Sequence, residues 1–222
     1  MGQEYIRTVR VSGLIESAGN ILLFDDCDVF RNWFTDGTGT DFVVALDTTI
    51  IFNGDASMKL QTKATSPAAG DFVEAFRRIY LPASKLVSME LFWRYSIEAD
   101  TRFIDFLLKY FDSSNRHEAD IRYNVQSAKW QYLNSAGTFS DIPGGAQSFT
   151  QKAWNRLKFT IDFRNNQYLK FTSNDLEVDL TDTPIYNPSD TTKPQLTTHI
   201  RLEAETANRP VMHFDDLMLI EE

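Results

Sequence analysis

His213-Phe214-Asp215-Asp216-Leu217-Met218-Leu219-Ile220 closes the chain, and Leu23-Phe24-Asp25-Asp26-Cys27-Asp28 stands near its start. Each joins a strand-like apolar run to paired aspartates. Between them lies Asn53-Gly54-Asp55-Ala56-Ser57-Met58-Lys59-Leu60, where an Asn-Gly turn leads into strict alternation. Two acid-ended apolar strands at opposite ends of one chain predict that the ends meet in a single sheet.

The same period of two recurs outward from these segments. Leu157, Phe159, Ile161 and Phe163 alternate with Lys158, Thr160 and Asp162. Ile200, Leu202 and Ala204 alternate with Arg201 and Glu203. Such runs describe strands with one buried face. Further strands are expected over 5–11, 20–24, 42–47, 72–80, 86–97, 102–111, 119–125, 129–133, 167–172, 176–180 and 211–220. One short helix is expected at 26–34, where Asp26 would cap Val29, Phe30 and Trp33. Thr35–Thr40, Thr65–Gly70 and Pro143-Gly144-Gly145 read as loops, and 181–195, with three prolines, as the longest irregular connection.

The 222 residues suit one large all-β domain and can bury a core without staples. The seventeen Phe, eight Tyr and four Trp supply flat rings for the gap between two sheets. A net charge of −9 argues against a nucleic-acid partner and against docking on anionic membrane. Cys27 is the only cysteine, so no internal disulfide forms, and it reads as a small core residue. The opening residues show no signal-peptide pattern, so synthesis in the cytosol or a trimmed export signal is expected.

Phe24-Asp25-Asp26, Gly54-Asp55-Ala56-Ser57-Met58-Lys59-Leu60, Trp154-Asn155-Arg156-Leu157-Lys158-Phe159 and Phe214-Asp215-Asp216-Leu217 together resemble the concanavalin A-like and carbohydrate-binding-module jelly rolls. The resemblance covers residues 21–222 and implies an antiparallel jelly-roll β-sandwich. It also implies a structural calcium between the first and last strands. The ligands would come from Asp25 or Asp26, from Asp55 or Ser57, and from Asp215 or Asp216. Calcium takes six to eight oxygen ligands and tolerates irregular geometry. The alternative is that these acids are solvated strand ends and turn formers.

The polar residues carry no complete catalytic motif. Retaining glycosidases of this architecture carry Glu-x-Asp-x-x-Glu on one strand. The nearest run here, Glu118-Ala119-Asp120-Ile121-Arg122, lacks the second glutamate and reads as a solvent-facing charged face. No Gly-x-Ser-x-Gly elbow, zincin helix or phosphate loop occurs. The expectation is therefore a non-enzyme. Trp130 and Tyr132 share one strand face with Tyr123 nearby, and their polar neighbours Lys129, Gln131 and Asn134 predict an exposed or partner-covered surface. Sugar C–H faces pack on such rings. Sandwich core is the competing reading.

Residues 1–20 lie outside the resemblance and alternate through Tyr5, Thr8, Val9 and Val11, as a docking strand would. The functional expectation is a non-catalytic subunit of a particle or homo-oligomer, such as a phage capsid decoration or tail component at a virion or extracellular surface. A carbohydrate-binding module with a glycan partner is the alternative.

Overall fold

The computed structural model describes residues 19–79 and 81–222. The elements there are all strands: β1 (Asn20–Asp25), β2 (Phe34–Gly37), β3 (Val43–Asp47), β4 (Ser57–Gln61), β5 (Phe72–Ile79), β6 (Leu86–Tyr95), β7 (Thr101–Phe111) and β8 (Arg116–Asn124). They continue as β9 (Lys129–Leu133), β10 (Phe139–Ala146), β11 (Asn155–Asp162), β12 (Gln167–Ser173), β13 (Leu176–Pro184), β14 (Gln195–Ala204) and β15 (Val211–Glu221). They form two antiparallel sheets. The first runs β13-β12-β11-β6-β15-β4-β3, and the second runs β10-β9-β8-β7-β14-β5-β2.

The two ends of the chain meet as their sequences require. β1 pairs with β15, from Asn20 opposite Glu221 to Asp25 opposite Leu217. On the same edge β15 first pairs with β4, from Val211 opposite Gln61 to Phe214 opposite Met58. Asp215 and Asp216 fall where the partner changes. The register against β6 shifts there, and Asp216 takes a φ of 47°. The aspartate pair therefore marks a bulge. Gly54 has φ 72°, and a Cβ there would lie 2.6 Å from Asp28 Oδ1, so the Asn53-Gly54 turn admits no side chain.

The core fills the gap between the sheets. Trp93 on β6 meets Trp130 on β9 edge-on at 5.8 Å, and Trp130 meets Phe171 on β12 at 5.0 Å. Rings of this size bury roughly 150–250 Å², which at about 25 cal/mol per Å² contributes about 4–6 kcal/mol each. Cys27 belongs to this core.

Four expectations are corrected here. Trp130 and Tyr123 are buried in the core, and Tyr132 packs against it, so they form no exposed platform. Tyr123 stands opposite Trp130, and Ile121 opposite Tyr132, on the inner face. The alternation of β9 was legible, but polar neighbours mark the outer face as much as exposure of the rings between them. Residues 26–33 form no helix: Cys27 and Asn32 adopt positive φ, and Asp25 holds the Cys27 amide and the Trp33 indole. β2 arises from turn-like residues because Phe34 stacks on Phe76 at 5.3 Å across the β2–β5 pair. β10 tolerates Pro143 because it is the outer strand and its register slips between Asp141 and Ala146. The expected strand at 5–11, and the arm 1–20 apart from its last two residues, lie outside the described residues.

Candidate functional site

The acids expected to hold calcium are brought to one end of the first sheet, but they are largely committed elsewhere. Asp25 Oδ2 accepts from the Trp33 indole at 3.0 Å and pairs with Arg77, while Oδ1 accepts from the Cys27 amide at 2.9 Å. Asp215 accepts from the amides of Phe52 (3.0 Å), Asn53 (3.2 Å) and Asp216 (2.9 Å). Burial pushes its carboxyl up to about 7 despite these donors. Ser57 donates to the Ile50 carbonyl. Asp55 contributes its backbone amide to Asp28 Oδ1. Asp216 accepts from the Asn53 side chain, and Asp26 accepts from the Asp28 amide. Among the described residues no three His, Cys, Asp or Glu side chains form a metal-holding group. The donor set as folded does not fit the calcium shell that the resemblance implies.

The chemically rich surface is the outer face of the second sheet. Outward residues of five strands align there through register. Arg78 on β5, Thr197 on β14, Lys109 on β7 and Glu118 on β8 form one row. Phe76, His199, Leu107 and Asp120 form the next. Glu74, Arg201, Asp105, Arg122 and Gln131 form a third. Although they point away from the core, Asp105, Asp120, Glu118, Thr197 and His199 are all nearly enclosed, so Glu118 and Asp120 are not the solvent-facing charged face expected from the sequence. Enclosed charges need partners. Arg122 Nε lies 2.5 Å from Asp105 Oδ1, and Arg116 Nε lies 2.8 Å from Glu118 Oε2. Lys109 Nζ lies 3.5 Å from Glu118 Oε1.

At the centre of this face His199 is held at both nitrogens. Nδ1 lies 2.5 Å from Glu74 Oε1, and Nε2 lies 2.9 Å from Thr197 Oγ1. Burial lowers the imidazole's affinity for a proton, outweighing the Glu74 hydrogen bond, so the ring is neutral at pH 7. Burial pushes the Glu74 carboxyl up, but the His199 hydrogen bond and nearby cations leave it below its ordinary value. An ionised carboxylate only accepts, so Nδ1 carries the hydrogen and Nε2 presents its lone pair to the Thr197 hydroxyl. Asp120, next along the row past Leu107, has an enclosed Oδ1 with no partner among the described residues. Its carboxyl is pushed well above the ordinary range by burial and by Asp105.

A groove of ≈260 Å³ opens over this constellation, lined by Arg78, Lys109, Arg116, Asp190, Thr197 and His199 among others. Two larger depressions carry less chemistry. One, ≈450 Å³ on the first sheet, has its charges tied in pairs, Lys170 with Glu177 at 2.8 Å and Lys158 with Glu222 at 3.4 Å. The other, ≈550 Å³ beside β1 and β2, is lined by Leu22, Leu23, Phe34 and Ile79 with two arginines and lacks a carboxylate or histidine. Sequence reasoning singled out Glu118 and Asp120 but missed Glu74, Thr197 and His199. The one available signal was Thr-x-His on a strand, two outward polar residues at period two.

No protein-family model and no curated protein matches the sequence. Solved structures do match in fold. An endo-β-1,4-glucuronan lyase from Trichoderma reesei superposes with TM-score 0.62 at 12% identity, over 91% of this chain and 96% of its own. A carbohydrate esterase of the Shiga toxin-encoding bacteriophage phi24B gives 0.59 at 14%, over 92% and 99%. An alginate lyase from Chlorella virus gives 0.56 at 10%, over 91% and 100%. These similarities overturn the expectation of a non-enzyme. It rested on a missing paired-carboxylate run, whereas this fold carries lyases and an esterase and is a setting for glycan chemistry. The chain has the concanavalin A-like jelly-roll fold.

Proposed function

We propose that this protein is a carbohydrate-active enzyme that lays an acidic polysaccharide across the outer face of the second sheet, with His199 as its proton acceptor. One observation carries the reading. In one groove of this chain of net charge −9 a neutral, oriented imidazole stands beside Arg78, which pairs with no carboxylate among the described residues, while Lys109 and Arg116 are tied to Glu118. An unpaired guanidinium in an acidic surface offers an anionic ligand one charged contact there, while the surrounding negative charge repels it elsewhere. Two of the similar structures are lyases of polyuronates by name, which supports the same ligand class.

The test is affinity electrophoresis in gels containing polyuronate or a neutral glucan. The polyuronate should retard the protein in a salt-sensitive way and the glucan should not. Arg78→Ala should weaken retardation about tenfold, the scale of one lost hydrogen bond to a charged group. His199→Ala should abolish turnover while leaving retardation. Equal retardation by the glucan would refute the reading.

A second observation favours an additional role in an assembly. Phe34, 47% exposed, lines the apolar groove beside β2, the outer strand of its sheet, and Ile21, Val29 and Phe30 are exposed close by in the sequence. We propose that this edge receives a protein subunit, in a particle at a virion or extracellular surface or in a homo-oligomer. Phe34→Glu should then reduce the mass seen by light scattering at high protein concentration. A wild-type protein monomeric at every concentration would remove the homo-oligomer.

A further inference from the structure

We propose that Thr197 is a nucleophile and that the groove hydrolyses O-acyl esters carried by an acidic sugar. This rests on the reading of the groove as an acidic-glycan site. Three functions of an acyl-transfer centre meet here in the right mutual geometry. The hydroxyl of Thr197 donates to His199 Nε2 at 2.9 Å, and His199 Nδ1 donates to Glu74 Oε1 at 2.5 Å. A hydroxyl, an imidazole and a carboxylate in that order are recognised by roles and distances, whatever the fold or chain order.

The strand geometry produces the contact. Thr197 and His199 are two residues apart on β14, so both point outward, and Glu74 reaches the imidazole from the adjacent strand β5. Thr197 stands directly opposite Arg78 on β5 and Lys109 on β7. Neighbouring strands are about 4.8 Å apart. Lys109 pairs with Glu118 on β8 and the Arg78 guanidinium lies over the Phe34 ring on β2, so both line the groove from the strands that flank the hydroxyl. The phage protein among the similar structures is an esterase by name, so the fold accommodates this chemistry.

The steps balance with water as the only co-reactant. Thr197 Oγ1 gives its proton to His199 Nε2 and bonds to the acyl carbon, and the carbonyl electron pair moves onto oxygen. Collapse breaks the bond to the sugar oxygen, which takes the proton from His199. Water then gives a proton to Nε2 and attacks the acyl carbon. Thr197 leaves with that proton, and the carboxylic acid is released. Thr197 and His199 are the catalytic residues, and Glu74 is a positioning residue that fixes the imidazole tautomer.

The experiment uses the full chain with O-acetylated polyuronate and with 4-nitrophenyl acetate, and measures released acetate, released nitrophenol and unsaturated uronate. Thermal melts confirm that each variant folds. Thr197→Ala and Thr197→Val should both lose acetate release by about 10³-fold or more, and Thr197→Ser should retain it. Glu74→Gln should slow release and move the acidic limb of the pH profile downward, since loss of the carboxylate weakens proton binding by His199. Mass spectrometry of quenched reactions should find acetyl on the peptide that contains Thr197. Acetate release unchanged in Thr197→Ala, or unsaturated uronate formed without acetate, overturns the proposal. Polyuronate retardation of the same variants is read separately. If retardation fails while Thr197-dependent nitrophenol release persists, the ligand class falls and the nucleophile stands.

Discussion

Replacing Trp130 by alanine should cost about 3–5 kcal/mol. The indole is fully enclosed and touches rings from both sheets: Tyr123 and Phe171 at 5.0 Å, Trp93 at 5.8 Å and Phe149 at 5.9 Å. A tryptophan buries roughly 150–250 Å², which at about 25 cal/mol per Å² gives about 4–6 kcal/mol. Residual compactness of the unfolded chain trims that by roughly 10–40%. The indole N–H also bonds Gln147 Oε1 at 3.1 Å, and its loss adds about 1 kcal/mol. The total agrees with the range of about 3–5 kcal/mol found for large aromatic truncations. It is a large share of a domain stability of about 5–15 kcal/mol. Guanidinium unfolding followed by circular dichroism would measure it as a lower midpoint at unchanged slope. A loss below about 1.5 kcal/mol would refute the placement of this ring between the sheets.

Arg77→Ala should destabilise by about 3 kcal/mol in the same assay, because it strands the enclosed Asp25 carboxylate; a neutral outcome would show Trp33 and the Cys27 amide to suffice. The Asp215 carboxyl titrates near 7 when folded against an ordinary 3.8, so its contribution is full below about pH 4 and is lost as pH rises through about 7. Asp215→Asn should flatten that part of the stability profile, and an unchanged profile would reassign it. Calcium between the terminal strands remains a proposal: if Asp25 or Asp26 and Asp215 or Asp216 rearrange to hold it, calcium raises the melting temperature and chelator lowers it. A melting temperature indifferent to calcium and chelator removes the site. Deleting residues 1–18 should leave the sandwich folded, since β1 starts at Asn20; an unfolded product would place that segment in the core.

Periodicity made the fold legible because a sandwich strand writes its environment into alternate residues. Leu157–Phe163 and Ile200–Ala204 needed nothing further, and the acid-ended segments at 23–28 and 213–220 announced that the termini pair. Alternation, however, does not say what covers the polar side. For β9 it left open whether Trp130 or Gln131 faced the core, and only register against Tyr123 decided it. β2 was invisible because its stability lies in Phe34 on Phe76, forty-two positions apart, rather than in its own residues. The candidate site was invisible for the same reason. Glu74 and His199 lie 125 residues apart, and Lys109 joins them from a third strand. Sequence recorded that β14 presents Thr197 and His199 on one face. Sheet order β7-β14-β5 alone brought a carboxylate and two cations beside them. Hydrogen bonding across strands acts between neighbours in the sheet, and that neighbourhood is set by topology and not by distance along the chain.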